Sequence, residues 1–558
     1  MILFPFRYLW WLVSSIRRSI GKPPEFVMFV LEENPPALPD PPRPLWQRFA
    51  GARSRVSIRE LGERFDAIAR DTRIKGVVLH LRPAGMPMAT LQDLRELVAK
   101  LRKSGKRVVA WAPSYTTGTY YLACACDEIL MMPSGMIGAL GFASRGTFLA
   151  DGLARFGLSA DFIQVSPYKS AADPLTKSKM SNELREQVTW LLDSQHGELV
   201  SAIVESRSMD EAGAKQLIDC SPYDDDTAVR DHVVDRVIAE EELPSHLAAT
   251  IGTWERAQRK IRAPAPTLGR GKYVAVMRIE GTIMDGRSGG LPVRPPIDIP
   301  LVGEDRAGDL SVVQLARQVA ADKRAAAAVL YVNSRGGSTT ASEAMRRALE
   351  VVASRKPLVV VMGPIAASGG YDVSTPGAWI VARPSTLTGS IGVLGGKIVT
   401  GGLWPKLLVN RETIAFGEHV TMHSDDRPYT DEERAIVVRE IDHLYRGFLD
   451  VVAKARKMSL DELQPIAQGK VWTGRQALER KLVDELGGLE AGLAKARALA
   501  SLPSSARMRE VRGPRRMIPP LAEPAPAGGW FGYLLEGLKL LSRAPALAVM
   551  QYLPGELT

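Results

Sequence analysis

Cysteine is scarce in this chain: Cys124, Cys126 and Cys220 are the 3 cysteines in 558 residues. That excludes a disulfide-dense scaffold, and no four-ligand zinc spacing is present. Histidine is hardly commoner, at 7. His419 and His423 stand four apart with Asp425 and Asp426 after them, but "GEHVTMHSDDRP" lacks the helical pattern that would turn both rings to one face. A solvent-exposed loop is expected there, and neither a metal nor a cofactor is expected anywhere. A phosphate loop ending in Gly-Lys-Ser/Thr is also missing. Aromatic residues make up only 6%, and the basic runs near 255–272 and 507–516 are not interleaved with them. The net charge of +10 therefore reads as solvated linkers, with some contact to anionic lipid, and not as nucleic-acid binding. Long apolar runs are lacking too. Residues 1–16 are mostly apolar but are interrupted by Arg7 and followed by Arg17, Arg18 and Lys22. A spanning helix needs about twenty apolar residues, so 1–22 is expected to be a short N-terminal membrane anchor, spanning or interfacial. No small-residue cleavage site follows it, which argues against a removed leader.

What is present is a folded composition, 45% hydrophobic and 24% charged, in a chain too long for one ordinary domain. Self-similarity organises it. "GVVLHLRPAG" (76–85) matches "AAVLYVNSRGG" (327–337), and "VVAWAPSYTTGTYYLACACDEILMMPSGMIGALG" (108–141) matches "VVVMGPIAASGGYDVSTPGAWIVARPSTLTGSIG" (359–392). The offset stays at 251 from Pro113/Pro364 through Gly138/Gly389, so the chain is a tandem duplication. The expected organisation is an anchor (1–22), a first repeat (23–251), a Pro- and basic-rich linker (252–272), a second repeat (273–500) and a tail (501–558). In the tail, Trp530, Phe531 and Tyr533 open an amphipathic segment suited to a headgroup interface. Within each repeat β-branched strands alternate with helical stretches, which predicts an α/β fold with a mostly parallel sheet. Long helical arms are expected near 182–206 and 431–456.

Two turns of the second repeat carry candidate chemistry. "NSRGGS" (333–338) follows a strand and opens a helix, so its backbone N–H groups are suited to stabilise an anion, either phosphate or an oxyanion. "AASGG" sets Ser368 at the end of the neighbouring strand, where it is either a tight turn or a nucleophile, with Gly369 and Gly370 permitting close backbone approach. The first copy has Thr117 in place of Ser368 and Met86 in place of Gly337, so it is not a second identical site. No histidine lies in these turns, which makes a Ser-His-Asp arrangement a poor fit. A lysine base requires a desolvated amine. Lys169 in "VSPYKSAADPLT" is one candidate, with Val420 at its position in the second copy. By sequence alone a lysine is most often solvated surface.

The stretches "VAVMRIEGTI" (274–283), "YVNSRGGSTTASEAMR" (331–346), "MGPIAASGGYDVSTP" (362–376), "PSTLTGSIGV" (384–393), "SPYKSAADP" (166–174) and "GKVWTGRQALERKLVDELGG" (469–488) resemble the signal peptide peptidase A (protease IV) family in its long two-repeat form. The resemblance implies tandem crotonase-like domains, related to the caseinolytic proteases. It implies a serine endopeptidase with Ser368 as nucleophile, Lys169 as general base, Gly337 and Gly369 as oxyanion hole, and Ser390 as an auxiliary hydroxyl. It further implies apolar peptide substrates such as cleaved signal peptides, attachment to membrane lipid at the bacterial inner membrane with the body facing the periplasm, and a homo-oligomer, a tetramer. Two features depart from the family: Arg335 stands where proline is usual, and the positive charges after residue 16 favour a cytoplasmic body. The alternatives are an acyl-thioester enzyme of the same fold, and a non-catalytic membrane scaffold.

Overall fold

The computed structural model describes residues 21–40, 55–261, 271–289 and 305–513, a few positions before residue 21, and the backbone of 547–549. Most of the expected N-terminal anchor and most of the C-terminal amphipathic segment lie outside these residues. Among the described residues no helix is long and apolar enough to cross a membrane. The chain divides into two compact units, and the division cuts across the repeats. The first unit takes residues up to Ala143 and Gln195–Arg270; the second takes Ser144–Ser194 and the chain from Gly271 to Pro554.

The first unit is built on a parallel sheet in the order Arg236–Val237, Glu128–Met131, Arg107–Ala112, Gly76–Leu81, Phe26–Leu31, Ile251–Thr253. Gly76–Leu81 ("GVVLHL") is buried at every residue, as a central parallel strand covered on both faces requires. Helices Ile58–Arg70 and Met88–Lys103 follow the strands, and Ser57 with Glu60 forms a capping box on the first.

The second unit has two sheets. Its larger sheet runs Val471–Thr473, Leu387–Gly389, Leu358–Ala367, Ala325–Ser334, Tyr273–Glu280, Met508–Glu510, with Trp379–Ala382 and Glu485–Leu486 branching from Leu358–Ala367. Glu128–Met131 and Trp379–Ala382 are 251 positions apart, so the sequence repeat is a structural repeat. The smaller sheet runs Arg306–Gly308, Thr282–Met284, Gly336–Ser338, Leu547–Val549, Leu394–Val399, Ser159–Gln164. Its last strand comes from the first sequence repeat and pairs antiparallel with Leu394–Val399 over six residues, Leu394 facing Gln164 and Val399 facing Ser159. The helical arms form as Asn182–Arg207 and Asp431–Arg456. The fold class is therefore α/β, in tandem, as the sequence indicates.

Candidate active site

Strand Leu358–Ala367 changes partners along its length. Val359–Val361 pair with Trp379–Val381, and Ile365–Ala367 pair with Leu387–Gly389. Ser368 comes next, and there the chain turns at once into the short helix Gly369–Asp372. The serine is held at φ 56°, ψ −117°, a region that non-glycine residues rarely occupy. Its N–H donates to Gly389 O at 2.8 Å, and its carbonyl accepts from the N–H groups of Tyr371 and Asp372. These three bonds hold a strained serine at a strand-to-helix turn, the arrangement that projects a hydroxyl away from its own backbone.

Lys169 lies on the segment Ser144–Ser194, in the same compact unit as Ser368. Its Nζ stands 2.6 Å from Ser368 Oγ, 2.9 Å from Ser390 O and 3.0 Å from Ser390 Oγ. The side chain is 1% exposed, and burial pushes its pKa well below the ordinary lysine range. An ammonium loses its hydration there, so the neutral amine is favoured. Ser368 and Ser390 are sealed to the same degree. Ser390 also has positive φ, 50°, and its N–H donates to Lys470 O at 2.7 Å.

Lys169 is fixed from behind by the loop 468–470. Gln468 O accepts from Ser166 Oγ, Gly469 N–H donates to Ile391 O, and Gln468 N–H donates to Tyr445 Oη on the long helix Asp431–Arg456. Gly469 has φ +78°, and a Cβ there would fall 2.6 Å from the Cβ of Lys169. Only glycine allows that approach. The sequence reading did not single out this residue, although it opens the family-like stretch 469–488.

The glycine turn leaves strand Ala325–Ser334 and enters strand Gly336–Ser338. Gly337 has φ +156°, and a Cβ would fall 1.9 Å from Ile283 O, so this position too must be glycine. Ser334 Oγ accepts from Gly336 N–H at 3.1 Å. Arg335, where proline was expected, is half-buried between the two strands and leaves both glycines in place. Helix Gly369–Asp372 packs against Gly336–Ser338, so Gly337 and Gly369 lie on neighbouring elements. Asp372, also missed at the sequence level, follows Ser368 by four residues. Burial pushes its carboxyl up to about 7, opposed by the Arg346 guanidinium 3.3 Å away.

In the first unit the counterparts do something else. Thr117 Oγ1 accepts from Gly141 N–H at 3.2 Å and lies the same distance from Gly141 O, while Met86 is part of the hydrophobic core. Of the four residues weighed as a possible metal site, three are engaged locally: His423 Nδ1 meets Tyr429 Oη at 3.2 Å, and Asp425 and Asp426 both pair with Arg411. His419 lies apart from them, its ring within 4.8 Å of the carboxylates of Glu418 and Glu432.

A duplicated α/β fold with a serine facing a buried lysine has the makings of a serine peptidase, and comparison with known proteins bears out that class. The chain belongs to peptidase family S49, whose family model matches residues 100–252 and 350–503, one stretch in each repeat. It is similar to Protease 4 of Salmonella typhi, 32% identical over 479 residues, covering 82% of this chain and 74% of that protein. Protease 4 of Haemophilus influenzae is 29% identical, over 77% of this chain and 71% of its own. The chloroplastic serine protease SPPA of Arabidopsis thaliana is 28% identical, over 84% and 69%.

Proposed function

We propose that Ser368 and Lys169 form a catalytic dyad that hydrolyses apolar peptides, cleaved signal peptides among them, through an acyl-enzyme. The observation that carries this reading is the 2.6 Å approach of a buried lysine nitrogen to the hydroxyl of a strained serine. The neutral amine accepts the Ser368 proton as Oγ bonds to the substrate carbonyl carbon. The oxyanion is stabilised by the backbone N–H groups of Gly337 and Gly369. The ammonium then gives its proton to the departing amine as the C–N bond breaks, and water, deprotonated by the same lysine, releases the acyl group. Ser390 orients the amine, leaving one of its nitrogen's directions for Ser368. Acyl-thioester chemistry on this fold would leave the Ser368–Lys169 pair without a role.

The same reading includes attachment to the bacterial inner membrane through residues 1–22, with the body facing the periplasm, and association into a tetramer. Association is supported by the surface segment after Leu394–Val399, where Leu408, Ile414 and Phe416 are almost wholly exposed. Apolar surface of that kind is normally covered in an assembly or at a membrane. The organisation proposed along the chain is anchor, lysine-bearing repeat, linker, serine-bearing repeat and tail.

A fluorophosphonate probe, which labels only an activated serine, tests the chemistry. The parent should be labelled at Ser368 and lose peptidase activity in proportion. Ser368→Ala should be unlabelled and retain at most about one thousandth of the parent rate. A Ser368→Ala protein that cleaves at the parent rate overturns the assignment.

A further inference from the structure

Helix Asn182–Arg207 carries a glutamine where its apolar stripe calls for a hydrophobic residue. Leu184, Gln187, Val188 and Leu191 recur at helical spacing and are all buried, Gln187 to 1% exposure. An amide sealed to that degree has to be hydrogen-bonded, because burying it unpaired is costly. Its partner is a strand edge. Val471–Thr473 is the outermost strand of the larger sheet, paired on one side with Leu387–Gly389. Among the described residues no strand lies on its other side. Val471 N–H donates to Gln187 Oε1 at 2.9 Å, and Val471 O accepts from Trp190 Nε1 at 2.9 Å. Two side chains one helical turn apart thus supply the acceptor and the donor that a further strand would supply. Ser194 Oγ lies 2.9 Å from Thr473 Oγ1, and Trp190 O accepts from Gln476 Nε2 at 3.0 Å, which completes the seat of the helix.

The gripped edge is continuous with the residues around Lys169 and Ser368. Gly469 lies against Lys169, and Lys470 O accepts the Ser390 N–H. Val471 faces Gly389, whose carbonyl accepts the Ser368 N–H. Leu191 packs in one cluster with Val471 and with Ala367, the residue before Ser368. Trp190 stacks on Trp472 at 4.9 Å, and its ring centre is 6.1 Å from that of Tyr168, the residue before Lys169. Lys169 and Gln187 belong to one stretch of chain, Ser144–Ser194, so the seat of the helix on Val471 fixes where the amine arrives.

We propose that Gln187 is a positioning residue of the peptidase reaction: with Trp190 it docks the lysine-bearing segment on the edge strand, and so holds Lys169 against Ser368 and away from water. The proposal rests on the Ser368–Lys169 reading above. Both side chains act through Val471 and not on the reacting atoms. A loosened dock shifts the amine and admits water. Hydration favours the ammonium, so the pH at which Lys169 gives up its proton moves up towards the ordinary lysine range. A side chain that only stabilised the fold would lower Tm and leave that pH where it is.

The test uses the full chain carrying Gln187→Met, which keeps the length of the side chain and removes the acceptor oxygen, or Trp190→Phe, which keeps a ring and removes the donor. Peptide hydrolysis and fluorophosphonate labelling of Ser368 are followed against pH, with circular dichroism on each protein. Gln187→Met should lose about tenfold in kcat, a fraction of what an ångström of misplacement costs, with KM within about twofold of the parent. Its labelling step should lie at least about half a pH unit above that of the parent, and Trp190→Phe should move both readings the same way. A folded Gln187→Met with the kcat and the step of the parent overturns the proposal. So does a loss of kcat with the step unmoved, which is the mark of a structural role. Where Gln187→Met does not fold, Trp190→Phe decides on the same two readings. A parent without a pH step, or labelled away from Ser368, overturns the dyad reading and this proposal together; a parent with the step and unchanged variants overturns the proposal alone.

Discussion

A lysine sealed inside protein is either paired with a carboxylate or neutral, because an isolated ammonium without water costs several kcal/mol. The oxygens recorded around Lys169 Nζ belong to Ser368 and Ser390 and are uncharged. Burial alone pushes its pKa down. A neutral amine keeps its lone pair free to accept a proton, and Ser368 Oγ lies 2.6 Å from it. This geometry depends on a residue without a side chain. At Gly469 an alanine would carry strain of about 1–2 kcal/mol from its positive φ, and its Cβ would press on the Lys169 backbone. We expect Gly469→Ala to fold, with a modestly lower Tm, and to lose about 100-fold in kcat/KM, the size of effect an ångström of misplacement produces. Steady-state kinetics beside circular dichroism checks this. A variant with parent kinetics would mean that Lys169 is not held by this loop.

At the scale of elements, the long helix Asp431–Arg456 was legible because its buried residues Val437, Ile441, Tyr445, Phe448, Leu449 and Val452 recur at helical spacing. Its start is as well defined. Thr430 and Glu433 make a reciprocal capping box, and Arg427 binds both oxygens of Glu433 at 2.6 and 2.7 Å. These contacts hold the Glu433 carboxyl at about 2, below its ordinary 4.5. A depressed carboxyl stabilises the folded chain above pH 4.5, and that contribution is lost as pH falls towards 2. Glu433→Gln should therefore lower stability by about 1 kcal/mol at pH 7 and match the parent near pH 2, as read by denaturant melts at both pH values. Equal differences at both would show that charge plays no part. The short strands were not legible. Gly336–Ser338 and Leu547–Val549 have three residues each and no period of their own, so their pairing is decided by what lies beside them. The loop 468–470 escaped for a related reason: a lone Gly-Lys pair reveals nothing until its neighbour across space is known.

For the whole molecule, the internal repeat was readable because one offset, 251, holds across strands, turns and prolines. It also indicated which copy had diverged. Thr117 and Met86 are absorbed into hydrogen bonding and core packing in the first unit, while Ser368 and Gly337 stand at a site in the second. What a linear repeat could not convey is that the segment Ser144–Ser194 belongs to the second compact unit and brings Lys169 with it. That exchange is set by strand Ser159–Gln164 pairing with Leu394–Val399, a long-range match that leaves no local signature. The central claim is that this borrowed lysine activates Ser368. The pH dependence of fluorophosphonate labelling of Ser368, measured in the parent, in Lys169→Met and in Lys169→Arg, tests it most directly. The account predicts a labelling rate that rises with pH through a single step well below 10.5 in the parent, and no such step, with almost no labelling, in either variant, since a guanidinium keeps its proton throughout this range. Labelling of Lys169→Met at the parent rate, with the same pH step, would contradict it.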